Sequence, residues 1–202
     1  MRVQKSINFK NGKYFGEAIG NVRDGYGKMI FDDGTSYEGE YKNNSMNGKG
    51  IYIFPNGNKY EGELKNDRRD GQGIFYFKNG DRYEGFFKND KRDGKGILYL
   101  KNGGKYEGDW KDNKRHGKGI LHISNGERYE GDFKYDLMDG LGIYYHTNGD
   151  RYEGYIKNEL PNGKGVFYRA DGTREYGKFV DGQRTGKFVV IAPNGQAQEV
   201  EF

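Results

Sequence analysis

The side chains best suited to chemistry in this 202-residue chain are three histidines, a recurring glutamate and two Gly-Lys-Gly triplets. The chain has no cysteine, and no carboxylate pair accompanies His116, His122 or His146 at the spacing of a metal site. We therefore expect these histidines to be surface or stacking residues and not metal ligands.

The triplets at 117–119 and 163–165 have only a superficial likeness to a phosphate-binding loop. Such a loop places Ser or Thr after its Gly-Lys and leads into a helix, and neither feature is present. The recurring glutamates are six copies of one environment, whereas an enzyme needs one differentiated pocket; they are Glu38, Glu61, Glu84, Glu107, Glu130 and Glu153. We predict no catalytic, cofactor-binding or metal-binding residue, and no enzyme.

The charge balance argues against a nucleic-acid partner. Thirty-four basic and 30 acidic residues leave a net charge of +4, and the signs alternate along the loops instead of forming one basic face. The 35 glycines would by themselves suggest disorder, but the 16% aromatic content argues for a folded chain. No signal-peptide or membrane-spanning run is visible, so we expect a cytoplasmic protein.

One unit is copied along the chain. Tyr-x-Gly triplets recur every 23 residues, with the first residue at Tyr14, Tyr37, Tyr60, Tyr83, Tyr106, Tyr129 and Tyr152. An eighth copy is degenerate, because Glu175 occupies the tyrosine position and Phe188 replaces the second glycine of Gly-x-Gly. A fixed period of this length indicates a repeat architecture.

Each unit reads as two strands. Tyr60, Gly62 and Leu64 alternate with charged residues, which indicates a strand, and a polar loop ending in Gly-x-Gly precedes a short apolar second strand, 74–77. Each apolar run ends at Asn-Gly, a tight-turn signal that predicts antiparallel neighbours. Phe87, Trp110 and Phe133 are expected to cover the bare glycine backbone of the adjacent strand.

These patterns predict an all-β protein: an elongated, single-layer antiparallel sheet of about eight 23-residue hairpins, twisted into a ribbon or rod. The predicted organisation is an N-terminal half-repeat cap at 1–13, seven repeats over 14–174, and a degenerate eighth repeat with a cap strand over 175–202. Atypical terminal units are expected in solenoid arrays, because bare strand edges promote association.

The recurrent Tyr-Glu-Gly-x-aromatic, Gly-x-Gly-apolar and Asn-Gly pattern resembles the MORN repeat (membrane occupation and recognition nexus) from residue 14 to about residue 195. Ala18 departs from it at the aromatic position of the first repeat, and Phe188 departs from it in the eighth. The resemblance implies a single-sheet β-array of the kind found in cytoskeletal and ciliary scaffolds, including axonemal assemblies, and in motor-tail adaptors.

The leading functional prediction is a protein-interaction scaffold. A single-layer sheet has no second layer, so an aromatic groove along it should stay partly exposed until a helix or extended segment of a partner lies there. The predicted groove residues are Tyr41, Leu64, Phe87, Trp110, Phe133, Ile156, Tyr60, Tyr83, Tyr106 and Tyr129. The second strands are apolar on both faces, which also predicts a homodimer or another stable complex.

The alternative is a peripheral membrane module that binds phosphoinositide through basic hairpin loops. Its predicted lipid contacts are Arg68, Arg69, Lys91, Arg92, Lys114 and Arg115, which recur at one position of three hairpins. Asp67, Asp70, Asp90 and Asp93 flank these bases and reduce the local charge below that of a typical lipid-binding cluster.

Overall fold

The computed structural model describes residues 1–202 as 18 β-strands without a helix. It therefore contains no helix long and apolar enough to span a membrane. The chain divides into two units, Met1–Lys101 and Asn102–Phe202. The prediction of an all-β, antiparallel array of hairpins is confirmed.

In the first unit each strand pairs antiparallel with the next one in sequence. The strands are β1 (Val3–Phe9), β2 (Gly12–Ile19), β3 (Val22–Phe31), β4 (Ser36–Lys42), β5 (Ser45–Ile53), β6 (Lys59–Lys65), β7 (Arg68–Tyr76), β8 (Arg82–Lys88) and β9 (Lys91–Tyr99).

The second unit has the same sequential antiparallel pairing. Its strands are β10 (Lys105–Lys111), β11 (Lys114–His122), β12 (Arg128–Lys134), β13 (Leu137–Tyr145), β14 (Arg151–Lys157), β15 (Leu160–Tyr168), β16 (Arg174–Val180), β17 (Gln183–Ile191) and β18 (Ala197–Glu201).

The tight turns lie elsewhere than the sequence suggested. Asn66 and Asp67, which join β6 to β7, both have positive φ (50° and 65°), as a two-residue hairpin turn requires. At Asn56-Gly57 only the glycine has positive φ, 86°, and its N–H donates to the Phe54 carbonyl at 2.9 Å in a longer loop. Asn and Asp tolerate this conformation better than most residues, which explains the polar pairs at the tight turns.

The second strand of each repeat is also longer than predicted. In β7 the segment read as a polar loop with Gly-x-Gly is already strand, because pairing with β6 begins at Lys65↔Arg68. The register shifts between Gly62 and Leu64, which indicates a β-bulge opposite the glycines. Sequence alternation did not show this strand because the bulge interrupts it.

The sheet has two chemically different faces. One, here called the tyrosine face, carries Tyr60, Leu64 and Phe75, which pair or alternate on the same side of β6 and β7. The other, here called the glutamate face, carries the intervening residues, such as Glu61 and Ile74. Successive side chains of a strand point to opposite faces, so each hairpin contributes to both.

The tyrosines themselves cover the glycines. A Cβ added to Gly73 would lie 2.4 Å from the Tyr60 hydroxyl, and one added to its partner Gly62 would lie 2.6 Å from that oxygen. Phe87 and Phe133 lie directly opposite other glycines of the neighbouring strand, Gly71 and Gly117, so the expectation that Phe87, Trp110 and Phe133 cover glycine backbone stays a prediction. The tyrosine ring lies across the cross-strand glycine pair of its own repeat, and only glycine leaves room for it.

The eighth repeat exchanges the two partners of this contact. Phe188 is fully buried, and its ring lies where a Cβ on Gly177 would meet it at 2.4 Å. Glu175, at the tyrosine position, is instead paired with Arg169 and Arg184, each at 2.6 Å. Phe188 thus supplies from β17 the ring that tyrosine supplies from the first strand of the other repeats.

Candidate interaction surface

The predicted groove residues are buried in the structure. Their side chains are nearly inaccessible to solvent, with Trp110 at 4% and Ile156 at 1% exposure. Six of them, here called the stripe, are Tyr41, Leu64, Phe87, Trp110, Phe133 and Ile156, and the other four are Tyr60, Tyr83, Tyr106 and Tyr129. The expectation that these rings stay partly exposed in the free protein is therefore wrong. Whether a partner lies over them stays a prediction.

Ring packing explains the burial. Phe87 stands edge-to-face against Tyr60 and Tyr83, with centroids 5.2 and 5.1 Å apart. Phe133 is held in the same way by Tyr106 and Tyr129, at 4.9 and 5.2 Å. Edge-to-face contacts of this kind stabilise a core beyond the area they bury, so the stripe and the tyrosines form one interlocked core row in each unit.

The tyrosine hydroxyls are satisfied inside this core. Tyr60 Oη donates to the Glu63 carbonyl at 2.8 Å, and Tyr129 Oη donates to the Asp132 carbonyl at 3.0 Å. Burial raises the pKa of both phenols, because the charged form would lose its hydration. Burial likewise raises the pKa of Tyr152 to about 12.

The two basic residues of each predicted lipid-binding loop point in different directions. Arg69 lies over the core with its guanidinium carbon 5.3 Å from the Phe87 centroid, and its Nε is 3.1 Å from Asp90 Oδ1. Arg115 packs equivalently over Phe133 at 5.3 Å and bridges Asp136. Arg92 lies over Tyr83 at 5.5 Å. Neighbours in a strand face opposite sides, so the exposed bases are Arg68, Lys91 and Lys114.

This arrangement gives the 23-residue spacing of Arg69, Arg92 and Arg115 a structural role. The Asp90 N–H donates to the Arg69 carbonyl at 2.9 Å, while the Arg69 side chain donates to the Asp90 carbonyl at 2.7 Å. Each such exchange joins the tight turns of two successive hairpins. Arg69, Arg92 and Arg115 thus pack over core rings, and lipid binding through the basic hairpin loops stays a prediction.

A second row of aromatics on the tyrosine face is more accessible. Tyr52, Phe54, Phe75 and Phe77 form a connected chain with successive centroids 4.6, 5.5 and 4.7 Å apart. Phe75 is 8% exposed, whereas the other three are half-buried. The guanidinium of Arg69 stands 5.1 Å from the Phe75 centroid, so this aromatic row combines apolar rings with a cation.

The histidines are distributed as stacking or surface residues. His146 stacks between Tyr144 and Phe167, with centroids 4.9 and 6.0 Å away, and its Nδ1 lies 3.3 Å from Glu127 Oε1. Hydrogen bonds from Asn125 and Tyr144 hold the pKa of Glu127 below its usual value. His116 lies 5.0 Å from the Tyr135 ring and His122 is exposed. No group of three or more His, Asp or Glu residues could hold a metal ion.

The glutamate face carries a charged ladder. Lys59 Nζ bonds Glu61 at 2.6 Å and lies 4.3 Å from the Tyr76 centroid. Arg151 repeats this arrangement with Glu153 at 2.8 Å and the Tyr168 ring at 4.1 Å. The hydrogen bond from Lys59 lowers the pKa of Glu61. The recurring glutamates are thus ion-pair partners in equivalent settings.

The sequence patterns considered above did not predict the aromatic row or the arginines that pack over the core rings. The aromatic row and the docked arginines could have been found by aligning all repeats in 23-residue columns, since Phe54, Phe77 and Arg69 occupy repeated positions. The orientation of the arginines depends on strands that begin earlier than the apolar pattern indicates.

A known repeat family matches the 23-residue units of this chain. The MORN repeat model matches seven consecutive segments, at 14–36, 37–59, 60–82, 83–105, 106–128, 129–151 and 152–174. No curated protein matches the chain significantly.

Several solved structures are similar in fold. One, described as a structural analysis of the microcephaly protein CPAP G-box domain that suggests a role in centriole elongation, is 17% identical with a TM-score of 0.55, and the match covers 88% of this chain and 93% of that one. The TCP10 domain of Danio rerio CPAP is 15% identical with a TM-score of 0.49, covering 98% and 100%. The Drosophila melanogaster SAS-4 TCP domain, solved with a proline-rich motif of Ana2, is 15% identical with a TM-score of 0.41, covering 98% and 90%.

At such identities, structural similarity concerns the fold alone. The family match is stronger because its repeats begin at the seven Tyr-x-Gly tyrosines and together span residues 14–174, well over half of the sequence. On this ground the chain belongs to the MORN-repeat family.

Proposed function

We propose that this protein is a non-enzymatic scaffold or adaptor that binds a segment of a partner protein along the tyrosine face. The observation that carries the proposal is the aromatic row of Tyr52, Phe54, Phe75 and Phe77, which is connected ring to ring and in which all rings except the buried Phe75 are partly accessible. The chain has no helix, and its strands pair with their sequence neighbours, so no second layer covers these rings.

The chemistry of the row suits a protein segment. Exposed aromatic residues beside arginine are the residue types that contribute most to protein interfaces. Arg69 is fixed by Asp90, and its guanidinium lies over the Phe75 ring, 5.1 Å from the centroid. A helix or an extended segment with apolar side chains could pack on this surface, supported from below by the interlocked tyrosine and stripe core.

The cellular setting that we propose is a cytoskeletal or axonemal assembly. Its support is the occurrence of MORN-repeat arrays in cytoskeletal and ciliary scaffolds. A fold-level relative with a TM-score of 0.55 comes from a protein whose description concerns centriole elongation, which is compatible with this setting.

The matched pair Phe54→Ala and Ile53→Ala tests the proposal. These neighbours face opposite sides of the sheet: Phe54 belongs to the aromatic row, and Ile53 is 42% exposed on the glutamate face. Affinity capture from the native cell identifies the partner, and titration measures its affinity for each variant. We expect Phe54→Ala to weaken binding about thirtyfold, the effect of a 2 kcal/mol hot spot, and Ile53→Ala to leave it unchanged.

The reverse result, with Ile53→Ala weakening binding and Phe54→Ala binding normally, would place the partner on the glutamate face. Anionic vesicles provide the test of the alternative function. Vesicle binding that disappears in an Arg68→Glu, Lys91→Glu, Lys114→Glu variant, without any captured protein, would favour the membrane module instead.

A further inference from the structure

An open depression on the glutamate face of the second unit has an unusual charge. It has a volume of about 560 Å³ and is lined by Lys164, Lys178 and Lys187 on three adjacent strands, β15, β16 and β17. Its floor contains Val166 and Tyr176, and the glycine backbone of β15 and β16 opens the surface between them. All three lysines are exposed.

The corresponding depression in the first unit has the opposite charge. It is about 530 Å³ in volume, and its charged lining residues are Lys49, Glu61, Glu63 and Glu84. Five repeats further along the chain, Glu61 is replaced by Tyr176 and Glu63 by Lys178. Gln72 corresponds to Lys187, whereas Lys49 and Glu84 keep their charges as Lys164 and Glu199. At equivalent positions the second depression therefore has two more lysines and two fewer glutamates than the first.

The change places two like charges opposite each other. Lys164 is the direct cross-strand partner of Lys178, and no ion pair relieves either side chain. At the same position of another repeat Lys118 is opposite Asp132 and forms a 2.7 Å bridge. Like charges directly opposite in a sheet are destabilising, so this position lacks the favourable pair that Lys118 and Asp132 form.

Two further contacts show how little of this positive charge is neutralised. Glu153 is already paired with Arg151 at 2.8 Å. Lys187 approaches Glu199 only at 3.7 Å, with both side chains more than 70% exposed, so the attraction is strongly screened by water. The depression therefore has unsatisfied positive charge at a place where the fold would accommodate an acid.

We propose that this depression, defined by Lys164, Lys178, Lys187, Val166 and Tyr176, binds an extended acidic segment of a protein partner. Adjacent strands are about 4.8 Å apart, so the three lysines span about 10 Å, whereas same-side residues of an extended peptide are about 7 Å apart. Two carboxylates can therefore reach the lysine row at once. An apolar side chain between them would rest on Val166 and the Tyr176 ring.

The shape of the site favours a segment over a single small anion. The depression is open and shallow, and its charges lie in a row across strands instead of converging on one point. Within its own unit the site lies on the glutamate face, because Val166 pairs with Tyr176 while Phe167 pairs with Glu175 at the tyrosine position. It does not depend on the function proposed above, and either proposal can fail while the other holds.

The test uses the full chain and a fluorescent peptide with acidic residues on both sides of a central leucine, followed by anisotropy at low and high salt. Wild type is expected to bind saturably, and binding should weaken as salt rises. Lys178→Glu should lower the affinity at least about tenfold, because one attraction becomes a repulsion. Lys157→Glu, which makes the same charge change at an exposed lysine at the end of β14 outside the depression, is the matched control and should bind like wild type.

Lys178→Glu also separates a binding effect from a folding effect. It restores the lysine-acid pair found in other repeats, so its urea midpoint should rise while its peptide affinity falls. A variant that lost affinity because it had unfolded would show both quantities falling.

Four outcomes would overturn the proposal. The first is unchanged binding of the acidic peptide by Lys178→Glu, and the second is equal binding of a lysine-containing peptide of the same design. The third is Lys178-dependent binding of phosphatidylserine vesicles without binding of the peptide, which would indicate a lipid surface. The fourth is self-association in sedimentation that Lys178→Glu or Glu63→Lys abolishes, which would indicate that the acidic depression of a second copy is the occupant.

Discussion

Exchange of Glu175 and Phe188 provides a quantitative test of the core contact that defines the repeat. In the other repeats a tyrosine ring covers a glycine pair, whereas here Phe188 covers Gly177 from the neighbouring strand and Glu175 binds two arginines. Glu175→Tyr alone would direct a second ring into the volume that Phe188 already fills. Phe188→Gly alone would leave that volume empty.

The magnitudes follow from burial. Phe188 is fully buried, so its loss should lower the free energy of unfolding by about 3–5 kcal/mol. Glu175→Tyr should cost about 1–3 kcal/mol from overpacking. The loss of its ion pairs adds to this cost, because Glu175 is only 8% exposed, although water can rehydrate Arg169 and Arg184, which are 42% and 27% exposed. The double variant recreates the tyrosine-glycine contact and should be more stable than the sum of the two changes by at least about 2 kcal/mol.

Urea denaturation of the four proteins, followed by circular dichroism, measures this coupling. Because repeat arrays can lose cooperativity, the slope of each transition must agree across the set before free energies are compared. Glu175→Gln is the control that removes the charge without adding a ring, and it should show no favourable coupling with Phe188→Gly. Additivity of Glu175→Tyr and Phe188→Gly within about 0.5 kcal/mol would refute the exchange of partners.

Three further predictions concern the core. Tyr60→Phe should lower the free energy of unfolding by about 1 kcal/mol, because one buried hydrogen bond to Glu63 is lost. Tyr60→Ala should lower it by about 3–5 kcal/mol, and equal costs of the two variants in urea denaturation would contradict this. Trp110 is 4% exposed, so its fluorescence should already be blue-shifted in the free protein, and Trp110→Ala should cost about 3–5 kcal/mol; a solvent-like emission maximum would show that the stripe is open. Burial raises the pKa of the core tyrosines, so their contribution to stability is complete below the unfolded value of about 10 and is lost as pH rises through the folded value. Tyrosinate absorbance and loss of circular dichroism should therefore increase together in alkali, and ionisation of these phenols near pH 10 with the fold retained would contradict the reasoning.

Much of the fold could be predicted because the repeat is local. Strand alternation in Tyr60-Gly62-Leu64, the apolar second run and the turn residues all lie within 23 residues, and seven in-phase copies leave little ambiguity. The interpretation erred where the pattern is interrupted. The β-bulge opposite Gly62 shifts the register, so the beginning of β7 and its docked Arg69 could not be read from alternation.

The candidate surface was less predictable, because exposure depends on neighbours that the sequence does not place. On a single-layer sheet, Phe87 and the residues at its position in other repeats were expected to be exposed to solvent. Instead Phe87 is enclosed between Tyr60 and Tyr83, the tyrosines of two successive hairpins. The accessible aromatics instead follow the second strands, at Phe54 and Phe77. In the sequence Glu175 and Phe188 are two separate departures from the repeat, because only the packing across strands shows that Phe188 fills the place of the missing tyrosine ring.

The sequence by itself determined the family, the all-β hairpin array and the phase of every repeat, because period, alternation and turn residues are encoded in short stretches. The tertiary structure decided which rings are core, which arginines are engaged and where charge is left unsatisfied. Those properties arise between hairpins, from register and packing across strands: Phe87 enclosed by Tyr60 and Tyr83, Arg69 held by Asp90, and Lys164 opposite Lys178. No single repeat contains that information, since each contact requires the neighbouring hairpin to be in place.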